Sequence, residues 1–434
     1  MTSGKLERIF GLQEAGSTVS TEIRAGATTF LTLSYILFVN PQILSLAGLP
    51  REDVVVATAI ASATATLLMG LWANLPFALA PGMGLNAYFT FGVVGAMGVD
   101  WRIALAAVFI EGILFLILAV TGARSALVGA IPSQIKVATM AGIGLFLAMI
   151  GLQSAGVVVD HSDTLVGLGD LGAPPTLLAL TGLLLMAALM TRRIRGGILY
   201  GILIVAGVAW AAGISPGPEA ILTVPSLPRE TLFALDFHGL LTGKMLSVIL
   251  AFLFVDFFDT AGTLIGVGRL AGFVDDQGRL TRANRAFTAD AVGTSVGALL
   301  GTSTVTSYVE SATGVEEGGR TGLTAVTVAV LFLLSLFFTP LLVAVPAIAT
   351  APALILVGAL MMRGSRDLDW TAPDQAVPAL LTIAGMPFTY SIANGITLGL
   401  VSFVLIRVFS GRYREVHPLI YLLSGLLIAF YALR

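Results

Sequence analysis

The sequence predicts an all-α polytopic membrane protein, and three observations predict it. Of 434 residues, 56% are hydrophobic and 11% charged, with a mean hydropathy of +0.95. Soluble domains carry about a quarter of their residues charged. Apolar runs of about 17–25 residues, long enough to cross a bilayer as helix, recur along the whole chain. Basic residues gather in alternate loops, as the positive-inside rule requires.

The net charge of −2 gives no reason to expect nucleic acid as a partner. Cysteine is absent, which excludes disulfides, zinc-thiolate sites and cysteine nucleophiles. His161, His238 and His417 fall in or beside predicted loops, so a histidine metal or catalytic cluster in the membrane is not expected. The N-terminus, MTSGKLERIFGLQEAG, is polar and has no apolar core, so no cleavable signal peptide is expected.

Residues 1–23 read as a polar N-terminal segment with the makings of an interfacial helix. Candidate spans follow at 24–47, 54–72, 76–97, 102–121, 131–153, 174–190 and 197–213. A Pro-rich loop with SPGPE and VPSLPRE, at 215–243, separates the halves. The second set falls at 244–268, 285–301, 302–317, 321–344, 347–362, 374–386 and 389–408, and a further apolar run at 416–433 is left over. Several of these segments are too short or too polar to be ordinary spans.

Arg192, Arg193 and Arg195 share one loop, Arg269, Arg279, Arg282 and Arg285 another, and Arg363 with Arg366 a third. Arg412 and Arg414 follow the 389–408 segment. Counting spans puts all of these on the side of the N-terminus, which is therefore expected to be cytoplasmic. Loops on the other side carry Asp160, Asp163, Asp170, Glu219, Glu230 and Asp236. An odd number of spans per half makes the second half enter from the opposite side, as an inverted repeat needs.

The stretch LLGTSTVTSYVESATGVEEGG, 299–319, is foreign to a lipid-facing helix. Irregular backbone and a carboxylate at this depth have to be buried in protein or line a cavity. It predicts an unwound segment that builds a solute site containing Glu310. The third segment of the first half, NLPFALAPGMGLNAYFTF (74–91), is interrupted at the matching place by Pro76, Pro81 and a glycine-rich turn. Paired interrupted segments point to a transporter site near the midplane. Asn86 lies on the half-helix after that turn. Asn40, before Pro41 in the first span, either faces the same site or satisfies carbonyls that Pro41 frees.

The eighth segment, KMLSVILAFLFVDFFDTAGTLIGVG, carries Asp256 and Asp259, three apart and so on one helix face. They lie roughly 18 and 22 Å from Lys244, inside a hydrocarbon core of about 30 Å. An ionised carboxylate there is costly unless hydrated, paired or protonated. Thr260, Gly262, Thr263 and Gly266 continue a small, polar stripe. The pair reads as a substrate and proton site, or as a structural pair with an arginine or backbone donor from another helix. Glu111, in the fourth span, reads as an interhelical hydrogen bond.

FVDFFDTAGTLIGVG, GTSTVTSYVESATGV with GGRTGLTAV, and APGMGLNAYF resemble the adenine/guanine/hypoxanthine permeases. These are the azaguanine-resistance type within the nucleobase–cation symporter-2 family. The resemblance runs from GATTFLTLSYILFVNPQIL to MPFTYSIANGI, essentially the whole chain. It implies fourteen spans in two inverted repeats of seven, with short strands in spans 3 and 10. It further implies a core domain (spans 1–4 and 8–11, at 24–121 and 244–344) and a gate domain (spans 5–7 and 12–14, at 122–213 and 345–434). An extracytoplasmic loop, 214–243, joins the halves. Asp259 of DTAGT and Glu310 of YVES would hold the base, and Asn86 matches the asparagine of the span-3 motif. Architectures of this kind often dimerise through the gate domain, which the resemblance makes the expected surface of a homodimer.

The residues suit that chemistry in their own right. A purine edge presents N–H donors beside ring-nitrogen acceptors; a carboxylate accepts two hydrogen bonds, and a protonated carboxyl also donates. The expected substrate-binding set is Asp259, Glu310, Asn86, Thr263 and Asn40, with the flat ring against Phe77, Phe257 or Phe258. Protonation of Asp259 or Glu310 coupled to binding would make a proton symporter with elevator-type alternating access, in the cell membrane and without a cofactor. An anion transporter of the same architecture is the first alternative, since facing helix N-termini favour anions, but the carboxylates oppose it. A membrane-embedded aspartyl hydrolase is the second, but the sequence has neither an H-E-x-x-H helix nor a serine–histidine arrangement.

Overall fold

The structure, a computed structural model, describes residues 2–121, 132–275 and 280–432. The start of the range assigned to the gate domain, 122–131, and the loop residue Arg279 lie outside the described residues. Among the described residues, nine helices are long and apolar enough to cross a membrane. They correspond to the first, second, fourth, fifth, sixth, eighth, eleventh, twelfth and fourteenth expected spans. The others are short, polar or broken, and the breaks are where the chemistry lies.

The first span is broken. α2 (Val19–Leu33) gives way to α3 (Ile36–Ser45) at Ser34–Tyr35, and Thr18 caps its start by accepting from the Thr21 amide at 3.2 Å. Before it, α1 (Thr2–Phe10) is the expected short N-terminal helix, and Phe10 and Leu12 pack on Leu323. The second span, α4 (Arg51–Leu68), runs into a π-helical turn, Met69–Ala73. The third is strand β1 (Leu79–Pro81), then α5 (Met83–Ala87), then a π-helical run, Tyr88–Ala96. α6 is Trp101–Thr121 and α7 is Ser133–Ser154. A surface hairpin of β2 (Val158–His161) and β3 (Leu165–Leu168) leads to α8 (Pro174–Thr191) and α9 (Gly197–Ala211).

In the second half α10 is Gly243–Ala271 and α11 is Ala283–Leu300. Strand β4 (Val305–Ser307) and the single-turn α12 (Ser311–Glu316) take the place expected of the tenth span. α13 (Gly322–Ser335) continues into α14 (Thr339–Ala344). α15 (Ala347–Met361), α16 (Pro373–Phe388) and α17 (Ile392–Phe409) follow. The left-over apolar run is a helix, α18 (Pro418–Ala432), packed on α17.

β1 and β4 pair antiparallel, with Leu79 opposite Ser307, Ala80 opposite Thr306 and Pro81 opposite Val305. The pairing satisfies backbone that a bilayer would leave bare. The Gly82 amide donates to Thr304 O at 2.9 Å and the Tyr308 amide to Ala78 O at 3.0 Å. Each strand is clamped from behind by a threonine of the preceding helix. Thr66 Oγ1 accepts from the Leu79 amide at 2.9 Å and donates to Leu79 O at 3.1 Å. Thr294 Oγ1 accepts from the Val305 amide at 3.1 Å and donates to Val305 O at 2.9 Å. The same clamp in both halves, on antiparallel strands, is the inverted repeat in miniature.

Gly301 marks where α11 stops and the strand begins. Its φ is +101°, and a Cβ there would sit 2.1 Å from Thr231 Cβ, so only glycine fits. The helices pack as two groups with few contacts between them. One group is α2–α6 with α10–α14; the other is α7–α9 with α15–α18. The strand pair belongs wholly to the first.

Candidate solute-binding site

Glu310 lies three residues beyond the end of β4 and immediately precedes the first residue of α12. Tyr35 Oη donates to Glu310 Oε1 at 2.8 Å. Tyr35 sits at the break between α2 and α3 and is 1% exposed. The break therefore delivers a hydroxyl to the carboxylate. α12 is held close by its glycine: a Cβ on Gly314 would lie 2.1 Å from Thr29 Oγ1. The Thr32 and Thr313 hydroxyls meet at 3.0 Å beside it.

Asp259, on α10, is half-buried, as is Glu310, and the two lie within electrostatic reach of each other. Tyr35 and Tyr308 each lie within such reach of both. Tyr308 Oη donates to Pro81 O at 2.5 Å, so its ring spans the strand pair. Among the described residues no lysine, arginine or histidine forms an ion pair with Asp259 or Glu310. Two hydrogen-bond acceptors thus lie within electrostatic reach of each other with no ion-pair partner among the described residues.

Asn86, on α5, is fully buried. Its Oδ1 accepts from Ser303 Oγ, while its Nδ2 has no partner among the described residues. The second half thus orients the asparagine and leaves its donor available. Phe258 is half-buried, with Phe254 stacked at 6.4 Å and Lys136 Nζ 5.1 Å from its ring centre. Thr263, one turn beyond Asp259, is 7% exposed.

Two expected contacts fall elsewhere. Phe77 is 1% exposed and meets Phe273 edge-on at 6.2 Å, inside an apolar cluster, so it is core. Asn40 Nδ2 donates to Thr58 Oγ1 at 2.7 Å and to Thr302 Oγ1 at 2.9 Å. Neither partner is a carbonyl freed by Pro41. Asn40 ties the first span to the second and to the chain entering β4, and supports the site from behind. The stripe on α10 is also split. Thr260 and Thr263 turn inward, whereas Gly262 and Gly266 are exposed.

Asp256 parts from Asp259 as well. It is fully buried with Glu111 and Asp290, and among the described residues no arginine pairs with it. Asp290 Oδ2 accepts from Thr260 Oγ1 at 2.8 Å and from Ser307 Oγ at 3.3 Å. Sequence reasoning passed over Asp290 and Tyr35. Asp290 carries the same signal as Asp259, a carboxylate inside a span. Tyr35 carries none, since a tyrosine in an apolar run reads as packing.

Comparison with known proteins agrees with this architecture. The profile of the family described as "Permease family" matches residues 20–398. A putative permease of Methanocaldococcus jannaschii is 52% identical over 96% of both chains. The adenine permease AdeP of Escherichia coli is 42% identical, over 98% of this chain and 95% of the relative. The guanine/hypoxanthine permease PbuO of Bacillus subtilis is 44% identical, over 95% of this chain and 97% of the relative. Among solved structures, the transmembrane domain of the cyanobacterial bicarbonate transporter BicA shares the fold, with a TM-score of 0.67 at 15% identity, covering 86% of this chain and 97% of that one. With a matching profile over most of its length and relatives named as transporters, the chain belongs to the permease family and is a membrane transport protein, not an enzyme.

Proposed function

We propose that this permease imports purine nucleobases, adenine, guanine or hypoxanthine, by proton symport. The observation that carries the reading is the pair of half-buried carboxylates, Asp259 and Glu310, with no cationic partner among the described residues. A neutral purine offers N–H donors to such acceptors and a ring nitrogen to the free Nδ2 of Asn86. Phe258 offers the ring a face. The names of the relatives favour the same substrates. The shared fold with a bicarbonate transporter would favour an anion, but two carboxylates repel one.

In this reading the first helix group is the core and the second the gate. The core carries the site past the gate in an elevator motion, and the gate is the surface of a homodimer. The protein lies in the cell membrane with its N-terminus cytoplasmic. Asp259 is the group that takes up and releases the proton. The test is accumulation of labelled adenine, guanine and hypoxanthine by vesicles under an imposed pH gradient without sodium. Accumulation should collapse with a protonophore. Asp259→Asn should bind base yet fail to concentrate it. A sodium requirement in the wild-type protein would end the proton reading, and competition by bicarbonate but by no purine would favour the anion reading.

A further inference from the structure

Behind the strand pair lies a group of buried acids with no part in solute contact. Glu111 of α6 is fully buried, and neither of its carboxyl oxygens meets a hydrogen-bond donor among the described residues. Its side-chain neighbour at hydrogen-bonding range is another acid, Asp256 of α10. The helices allow no retreat. A Cβ on Gly112 would be 2.6 Å from Ser295 Oγ, so α6 and α11 are in close contact there. Phe115, Phe257 and Phe287, each within about one helical turn of one of the three acids in sequence, pack with ring centres 5.7–6.0 Å apart. The charged groups facing the pair are Asp290 from α11 and Asp259 from α10, both acids.

Two carboxyl groups in hydrogen-bond contact need a proton between them, because ionised carboxylates are acceptors only. Like charges in a dry site with no cation cannot both ionise. Thr294 lies between the pair and the strand. Its single hydroxyl hydrogen can go to Val305 O or to Asp256 Oδ2, and it lies 2.9 Å from the first and 3.5 Å from the second. An anionic Asp256 would be the stronger acceptor and would compete with Val305 O for that hydrogen. The repeat shows that the strand clamp needs no acid. Thr66 holds β1 in the same way, and the residue four before it is Ser62, where the residue four before Thr294 is Asp290.

We propose that Glu111 and Asp256 share one proton, forming a second proton site distinct from Asp259. Thr294 links that site to the backbone of β4. Loss of the proton turns the Thr294 hydroxyl from Val305 O to Asp256 and loosens the strand that leads into Tyr308 and Glu310. Proton loss therefore weakens the solute site without touching the solute. The effect on binding rests on the function proposed above; the shared proton does not.

The test uses the full chain in lipid nanodiscs without substrate. Infrared spectra in light and heavy water should show the C=O stretch of a protonated carboxyl at neutral pH, and both Glu111→Gln and Asp256→Asn should remove it. Either variant suffices if the other fails to fold. Base binding is then titrated to alkaline pH. The wild-type dissociation constant should rise about tenfold as the shared proton is lost, the scale of one unmet buried group. Glu111→Gln, which keeps a donor toward Asp256 at every pH, should flatten that rise. A carboxyl band unchanged in both variants, or an alkaline rise unchanged in Glu111→Gln, would overturn the proposal. Failure of purine binding alone would count against the transport reading and leave the infrared result to decide.

Discussion

Replacing Tyr35 by Phe removes one oxygen atom and keeps the ring. The lost contact is the 2.8 Å bond from Tyr35 Oη to Glu310 Oε1. A hydrogen bond to a charged group contributes about 1.5–3 kcal/mol when both partners are buried. Glu310 is half-buried, so water replaces much of that and folding is little affected. What water does not replace is orientation. Without the tyrosine the carboxylate rotates freely, and the base must order it on binding. Ordering one side chain costs about 0.5–1.5 kcal/mol, which is roughly a twofold to twelvefold rise in dissociation constant. Calorimetric titration of the purified variant with adenine and guanine measures it, with a melting curve as the control for folding. An unchanged dissociation constant in a normally folded Tyr35→Phe protein would refute the claim that this hydroxyl orients Glu310 for the solute.

Glu310→Gln keeps the shape but not the charge, and uptake should fall about a hundredfold with normal membrane insertion, the scale of a charge-assisted bond; near-normal uptake would remove Glu310 from the site. Asn86→Ala and Ser303→Ala should each weaken base affinity, and their effects should not add, because Ser303 acts through Asn86 Oδ1. Additive losses in a double-mutant cycle would separate the two roles. Gly314→Val should lower the melting temperature by forcing α12 off α2, where a Cβ already meets Thr29 Oγ1 at 2.1 Å and Ala25 O at 2.8 Å. Overpacking of this kind costs about 1–3 kcal/mol.

The parts of the site legible in the sequence are those the bilayer forbids elsewhere. TSTVTSYVES stood out because unpaired backbone cannot face lipid, and it became strand β4 with Glu310 beside it. APGMGLNAYF stood out for the same reason and became β1 and α5. Depth alone set Asp259 apart. What stayed hidden depends on which way a side chain turns. Asp256 and Asp259 share a face by spacing, yet a modest rotation sends one toward Glu111 and leaves the other half-open. Asn40 and Phe77 have plausible chemistry, but their neighbours Thr302 and Phe273 lie far away in sequence and claim them for support and packing. Tyr35 was invisible because its partner is likewise in the other half of the chain.

The pairing of β1 with β4 also sets an order of assembly. Leu79 emerges from the ribosome more than two hundred residues before Ser307, its partner. Through that interval the first repeat has an open strand edge, an unanchored Asn86 and a short half-helix, in a solvent that supplies no hydrogen bonds. The third segment cannot settle in its final place until β4 arrives. A half-made chain therefore has to keep this stretch at the membrane surface, inside the insertion machinery or against a temporary partner. Closure over so long a loop is slow, so the strand pair forms only after more than two hundred further residues have been made. Truncation after α10 would leave the first repeat exposed in this way, a target for membrane quality control.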